Sequence, residues 1–360
     1  MNGSFSPSLF ARAFVSGVEY AVSFVLYHTG LLYLYSRIMI RRRITILYYH
    51  EIGDVPALGG AAISVKAFER QMKLVARWYR GISIDDLHGF FAGTHRLPDN
   101  PALITFDGGY RGVWEHAVPV LRRHGIPVTI YLVTGYIDGQ MLPHAFRVDC
   151  LLEKTGAETF DAPFPDGRRS FSLRSEREKK SCRVALMRLL NDTPPGERDA
   201  LIEEIARRLG VDPRVTQRNP FLSWEEIAAA GADDTVRFAS HSVNHPNLSR
   251  LPAEEARREI AASKETIERR TGRAVTSFCY PMGYYSAEIK EMVRDASYRS
   301  AATVRYGLNG RRDDPMELKR IAVHEAPLCV FATELCGIYR SGTMMEIFDR
   351  VKSRLKRKYS

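Results

Sequence analysis

Cysteine is scarce in this chain: five residues in 360 (Cys150, Cys182, Cys279, Cys329 and Cys336), odd in number and widely scattered. They contain no Cys-x-x-Cys pair, which excludes the usual zinc-ribbon and dithiol redox arrangements, and a disulfide framework is not how a chain of this length is held together. Internal repeats at solenoid or propeller spacing are absent, as are zinc-finger and RNA-recognition motifs and any interleaving of aromatic with basic residues. Nucleic acid is therefore not an expected partner. The first apolar stretch is not expected to be a signal peptide, because nothing basic precedes it except Arg12 and no small-residue cleavage site follows it.

The chain does have the makings of a large core. It is 45% hydrophobic and 26% charged, a globular composition. Its length suits one barrel-sized domain of roughly 200–250 residues with additions. The formal charge of +10 gathers toward the ends, in Arg41-Arg42-Arg43 and between Lys352 and Lys358. Basic ends point to an anionic surface, and a membrane is the expected one.

From Ala13 to Ser36 the sequence is mainly apolar, interrupted by Glu19 and His28, and as one helix would be long enough to cross a hydrocarbon layer of ~30 Å. A single anchor, a helix lying in the interface and a helix packed on the domain all fit. Glu19 is costly in lipid, whereas Arg37 and Arg41 to Arg43 suit an interfacial helix or a snorkelling anchor. We expect membrane association through residues 13–36, with the remainder cytoplasmic if the segment spans. The alternative is a soluble cytoplasmic protein.

Ile44-Thr-Ile-Leu-Tyr-Tyr-His50 reads as a buried strand, and Ser64 to Tyr79 as a helix with Ser64 as N-cap. Strands are predicted at Ile82 to Ile84, Pro101 to Phe106 and Pro127 to Val133, separated by helices at Asp85 to Phe91 and Glu115 to His124. Such alternation predicts parallel strands with crossover helices. Between Gly139 and Phe221 the texture becomes charged and helix-rich, which suggests a helical insertion or lid. The alternation resumes with a helix at Trp224 to Ala230, then strands at Val236 to Ser240, Val275 to Tyr280, Arg299 to Thr303 and Arg320 to Val323, with helices at Ala253 to Thr271 and Ser286 to Ala296. The expected organisation is an N-terminal segment 1–43, a barrel from 44–138 and 222–326, an insertion 139–221 and a basic helical tail 327–360.

Two constellations carry chemistry. Asp107 ends a buried strand in Thr105-Phe-Asp-Gly-Gly-Tyr110, where barrel folds place catalysis, although a turn aspartate capping the next helix fits the hexapeptide as well. In Ser240-His-Ser-Val-Asn-His-Pro246, two imidazoles at i and i+4 converge on one ion if the segment turns helically, and are otherwise ordinary hydrogen-bonding histidines.

Taken in order, Leu103-Ile-Thr-Phe-Asp-Gly-Gly-Tyr110, His124-Gly-Ile-Pro-Val-Thr-Ile-Tyr-Leu-Val133, Ser240-His-Ser-Val-Asn-His-Pro246 and Phe278-Cys-Tyr-Pro-Met-Gly283 resemble the NodB-homology polysaccharide deacetylases, carbohydrate esterase family 4. The resemblance implies a distorted (β/α) barrel, an α/β fold, that hydrolyses the N-acetyl group of an amino sugar with zinc, cobalt or nickel as divalent ion. It assigns Asp107 as base and His241 and His245 as metal ligands. Ile321-Ala-Val-His324 resembles the element that supplies the acid to the leaving amine, and His50, at the end of the first strand, competes with His324 for that role. Tyr110, Tyr280 and Pro281 are candidates to line the sugar pocket, or else pack in the core. An acetylated amino-sugar glycan, free or lipid-linked, is the implied partner. Two departures stand out. Gly108 occupies the place of a metal-binding aspartate, and the arginine often found before the Pro-rich turn is missing. A degenerate member that binds glycan or scaffolds a complex at a membrane is the alternative.

Overall fold

The computed structural model describes residues 7–53, 62–139, 142–165, 167–193, 197–213, 220–230 and 233–338. Two helices come first, α1 (Pro7–His28) and α2 (Leu31–Ile38), with Gly30 between them in the left-handed region at φ 77°. The apolar run 13–36 is thus broken rather than continuous. There follow β1 (Thr45–Tyr49), the two-residue strands β2 (Glu51–Ile52) and β3 (Ala62–Ile63), α3 (Val65–Trp78), β4 (Arg80–Gly81), α4 (Ile84–Ala92) and β5 (Pro101–Gly108). A π-helical turn at Val113–Ala117 runs into α5 (Val118–Arg123), then β6 (Val128–Leu132) and α6 (Thr134–Ile137).

Next come α7 (His144–Lys154), β7 (Thr159–Phe164), β8 (Gly167–Ser172), α8 (Glu176–Asp192) and α9 (Arg198–Arg208). The chain continues through α10 (Trp224–Ala230), β9 (Val236–Ser240), α11 (Ala253–Thr271), β10 (Ser277–Cys279), α12 (Ala287–Asp295), β11 (Ser300–Ala302), β12 (Ile321–Ala322) and α13 (Leu328–Leu335).

Eight strands form one parallel sheet in the order β11-β10-β9-β6-β5-β1-β12, with β4 also on β5. It curls toward a barrel, and its ends meet through a parallel bridge between Ala302 and Leu318 and through the Arg320 N–H, which donates to the Arg305 carbonyl at 2.8 Å. All eight residues of β5 are buried, as a strand covered on both faces must be. Outward-facing Ile104 and Phe106 pack with Phe68 and Met72 of α3, each worth ~1.5–3 kcal/mol when fully buried. The interior is apolar where the strands begin (Ile44, Ile46, Leu103, Leu318) and polar where they end.

Local signals explain several boundaries. Ser64 accepts from the Ala67 N–H and caps α3. Ser83 and Asp86 form a reciprocal capping box, so Ile84 opens a helix instead of closing a strand and β4 stops at Gly81. The segment 142–213 has a core of its own around Val148, Leu186 and Ile205. It is not purely helical, because β7 and β8 pair antiparallel there, with buried Phe160 and Ala162 alternating with exposed Thr159 and Asp161. Of the tail expected at 327–360, α13 and the residues to 338 are described, and the remainder lies outside the described residues.

Candidate active site

Asp107 is the penultimate residue of β5, and the chain leaves the strand through Gly108 (φ 103°) and Gly109 (φ 81°). Both conformations are glycine territory. A Cβ at Gly108 would stand 2.9 Å from Tyr110 Cε2, and the Tyr110 ring is itself packed on Phe221 at 4.6 Å between centroids. The place where the resemblance puts a second carboxylate is closed by a tyrosine ring.

Arg320, immediately before β12, reaches Asp107 with both arms of its guanidinium: Nη1 donates to Oδ1 at 2.7 Å and Nη2 to Oδ2 at 2.8 Å. Its Nε donates to the Thr303 carbonyl at 2.8 Å, Nη2 lies 3.1 Å from Cys279 Sγ, and the charge sits 4.3 Å from the Tyr48 ring centroid. Burial alone would raise the Asp107 pKa, but the charge and hydrogen bonds of Arg320, aided by His241 and His50, hold it well below the usual carboxylate range. Asp107 is therefore an ionised, fixed carboxylate. An arginine does enter the site, from a different strand than the Pro-rich turn. Its only signal in the sequence was a charged residue heading a short buried run.

The histidines sit just past β9. His241 N–H donates to the Leu132 carbonyl at 2.8 Å, and His241 Nδ1 pairs with the Cys279 carbonyl at 2.8 Å, leaving Nε2 available. The following loop does not turn helically. Ser242 (φ 67°) and His245 (φ 55°) are left-handed, and the buried Glu259 accepts from the N–H groups of Val243 and Asn244 at 2.9 and 2.8 Å. The result still brings the rings together, with centroids 4.6 Å apart at 80°. Burial, with Arg320 and His50 adding and Asp107 opposing, pushes His241 down to about 4. Burial and then His241 push His245 well below the ordinary value. Neutral imidazoles keep a lone pair for an ion.

His50 directly follows β1 and enters the same space. Burial lowers its pKa, with the charges of Arg320 and His324 adding to the effect and Asp107 opposing it, so Asp107, His50, His241, His245 and His324 share one electrostatic neighbourhood. The His324 carbonyl accepts from Gln71 Nε2 at 3.2 Å. Tyr280 is fully buried, its hydroxyl on the Met316 carbonyl at 3.1 Å and its ring stacked on Tyr285, and Pro281 is buried beside it. Both side chains are packed in the core, whereas Met282 and Tyr284, just beyond them in the chain, are exposed. His144, at the start of α7, lies near enough to His245 for its charge to be felt. Sequence reading passed over it, because a single histidine in a charged insertion carries no motif.

Asp107, His241 and Cys279 have ligand atoms within 4.8 Å of one another, a geometry that could hold a metal. That triplet is already served by a cation, since the Arg320 guanidinium holds both carboxylate oxygens and touches the thiol. Burial also raises the Cys279 pKa strongly, keeping it a protonated thiol and a poor ligand. The donors that fit a divalent ion are the two imidazoles of His241 and His245. This is one short of the three protein ligands usual at a catalytic zinc.

Residues 94–301 match the family model described as polysaccharide deacetylase. YxkH of Bacillus subtilis (strain 168), named as a polysaccharide deacetylase, is 20% identical over 282 residues, covering 78% of this chain and 71% of its own length. Among solved structures, the Streptococcus pyogenes deacetylase PplD in complex with acetate superposes with TM-score 0.53 at 15% identity, over 79% of this chain and 94% of its own. IcaB from Ammonifex degensii gives TM-score 0.53 at 17% identity, over 82% and 97%. These likenesses carry the fold, and the family match extends over more than half of the chain. A carboxylate fixed at the end of one parallel strand, faced by an imidazole pair from the end of another, thus sits in a chain that belongs to the polysaccharide deacetylase family, hydrolases of carbon–nitrogen bonds that deacetylate glycans.

Proposed function

We propose that this protein is a metal-assisted N-deacetylase of an acetamido sugar in a polysaccharide or lipid-linked glycan. The observation that carries the reading is Asp107, buried, ionised and held by Arg320 beside the His241 and His245 pair. His241 and His245 would hold a divalent ion, zinc by donor chemistry and cobalt or nickel as substitutes, which supplies Lewis acidity toward the amide carbonyl and lowers the pKa of water. Asp107 takes the proton of the attacking water. Arg320 orients its carboxylate and keeps it charged, at some cost in basicity. His50 or His324 donates the proton that lets the amine leave, and exposed Tyr284 and Met282 offer an apolar face at the rim for a sugar ring.

Incubation with N-acetylglucosamine oligomers and added Zn²⁺, Co²⁺ or Ni²⁺ is expected to release acetate, and Asp107→Asn to abolish it. Absence of acetate with every ion and every acylated amino sugar would refute the proposal. One observation favours a second reading, a glycan-binding member without turnover: the Tyr110 ring stands where a third ligand would be needed. Oligomer binding without acetate release would select it.

A further inference from the structure

The exposed apolar surface of this protein is concentrated away from its active site. Among the described residues, twelve large hydrophobic side chains are strongly exposed, and eight of them fall between Tyr20 and Met39. Ile38 and Met39 are 64% and 66% exposed, and Leu34 is 52% exposed. An apolar groove bordered by Leu26, Leu31, Leu34, Ile38 and Ile338 opens on the same side. A patch of this kind on a soluble surface marks a binding face.

The opposite edges of α1 and α2 are well anchored. Leu32 is buried, its carbonyl faces Cys336 Sγ, Tyr27 packs on Trp78, and α1 lies along α13. The exposed face is therefore the outer side of a docked helix pair, not a loose segment.

Basic residues predominate around it. Arg41 is tied to Asp99 and Arg43 to Asp313, but exposed Arg37 and Arg42 make no ion pair among the described residues. As sequence alone, the stretch from Lys352 to Lys358 is also basic, with Lys352, Arg354, Lys356, Arg357 and Lys358 and no acidic residue. A protein partner would need matching apolar and acidic surfaces, whereas an anionic bilayer presents both at once, over any area. No helix among the described residues is long and apolar enough to cross a membrane.

We infer that α1 and α2 form a monotopic docking surface for an anionic phospholipid membrane, with Leu31, Leu34, Ile38 and Met39 in the acyl boundary and Arg37 and Arg42 at the headgroups. The geometry also fixes the orientation. α2 leads within a few residues to the start of β1, and the Arg41 carbonyl accepts from Asn100 N–H just before β5, so the patch lies where the strands begin. Asp107 and His241 lie where strands end, roughly 17 Å along a five-residue strand. The bound protein turns its active site away from the lipid it sits on. The substrate it fits is a glycan held out from the bilayer, not a headgroup in the same plane.

The test uses the full chain and flotation with vesicles of phosphatidylcholine alone or mixed with phosphatidylserine. Binding is expected to the mixed vesicles, weakened by salt. Leu34→Glu with Ile38→Glu should weaken it by at least ~100-fold, and Arg42→Glu by ~5-fold or more. These positions are exposed, so circular dichroism should be unchanged. Three results would overturn the inference: no binding to either vesicle, a dimer in solution that the double variant converts to monomer, or hydrogen-exchange protection of residues 344–355 without lipid in a chain that ignores vesicles. The last would mean that the chain's own C-terminal segment fills the groove.

Discussion

Placing an aspartate at position 108 is the obvious repair of the site, and the geometry says that it fails. At φ 103° any side chain is strained, at ~1–3 kcal/mol. Its Cβ would also stand 2.9 Å from the Tyr110 ring, which is pinned by Phe221 and cannot swing aside freely; overpacking of this kind costs ~1–3 kcal/mol more. Gly108→Asp should thus lose ~2–6 kcal/mol, seen as a fall of ~0.7–3 M in the urea midpoint if the slope is ~2–3 kcal/mol/M. Fluorescence of Trp114 and Trp224 reports the transition, and equilibrium dialysis against Zn²⁺ reports any gain of metal. We expect no gain. Adding Tyr110→Ala should return the overpacking share, leaving the backbone strain. A single Gly108→Asp variant as stable as the parent and loaded with one tightly bound ion would refute the reasoning.

Arg320→Met leaves a carboxylate buried without its partner and should cost ~3–5 kcal/mol in urea unfolding, most of it recovered when Asp107→Asn is added. If the double variant is no more stable than the single, the pair is not the reason. Buried His88 gives a pH signature. Burial, with Arg299 adding and Asp85 opposing, pushes its pKa down to about 4, while the unfolded imidazole takes its proton near 6.5. The unfolded state therefore binds the extra proton, and stability falls as pH drops from 6.5 to 4, by about 3 kcal/mol for 2.5 units at 1.36 kcal/mol each, then levels. Replacing His88 with glutamine should remove only its own share of that slope, because buried His50, His241 and His245, whose pKa values are also lowered, go on contributing theirs.

The parts of this architecture visible in the sequence are those encoded locally. Pro101 to Phe106 and Val236 to Ser240 announce themselves as buried strands, and the candidate site residues Asp107 and His241 are found by reading one more residue past each. What stayed hidden depends on partners far along the chain. Arg320 lies 213 positions from Asp107, and no periodicity links them. In the sequence the histidines converge only if their segment turns helically; the loop does not, and Glu259 of α11 shapes it instead through two backbone N–H groups. The break at Gly30 was legible in principle, yet hydropathy averages across a single glycine, so residues 13–36 read as one segment.

The bond between Asp107 and Arg320 has a consequence for biosynthesis. As the chain emerges from the ribosome, the carboxylate, its strand and later both histidines appear long before the guanidinium that fixes the carboxylate. Until β12 docks against β1, Asp107 must stay hydrated or protonated, because burial without Arg320 is too costly. A nascent chain thus carries the pieces of a hydrolase without the hydrolase, and a chain clipped before residue 320 would never acquire it. The last strand in the order of synthesis acts as a proof of completeness for the whole barrel.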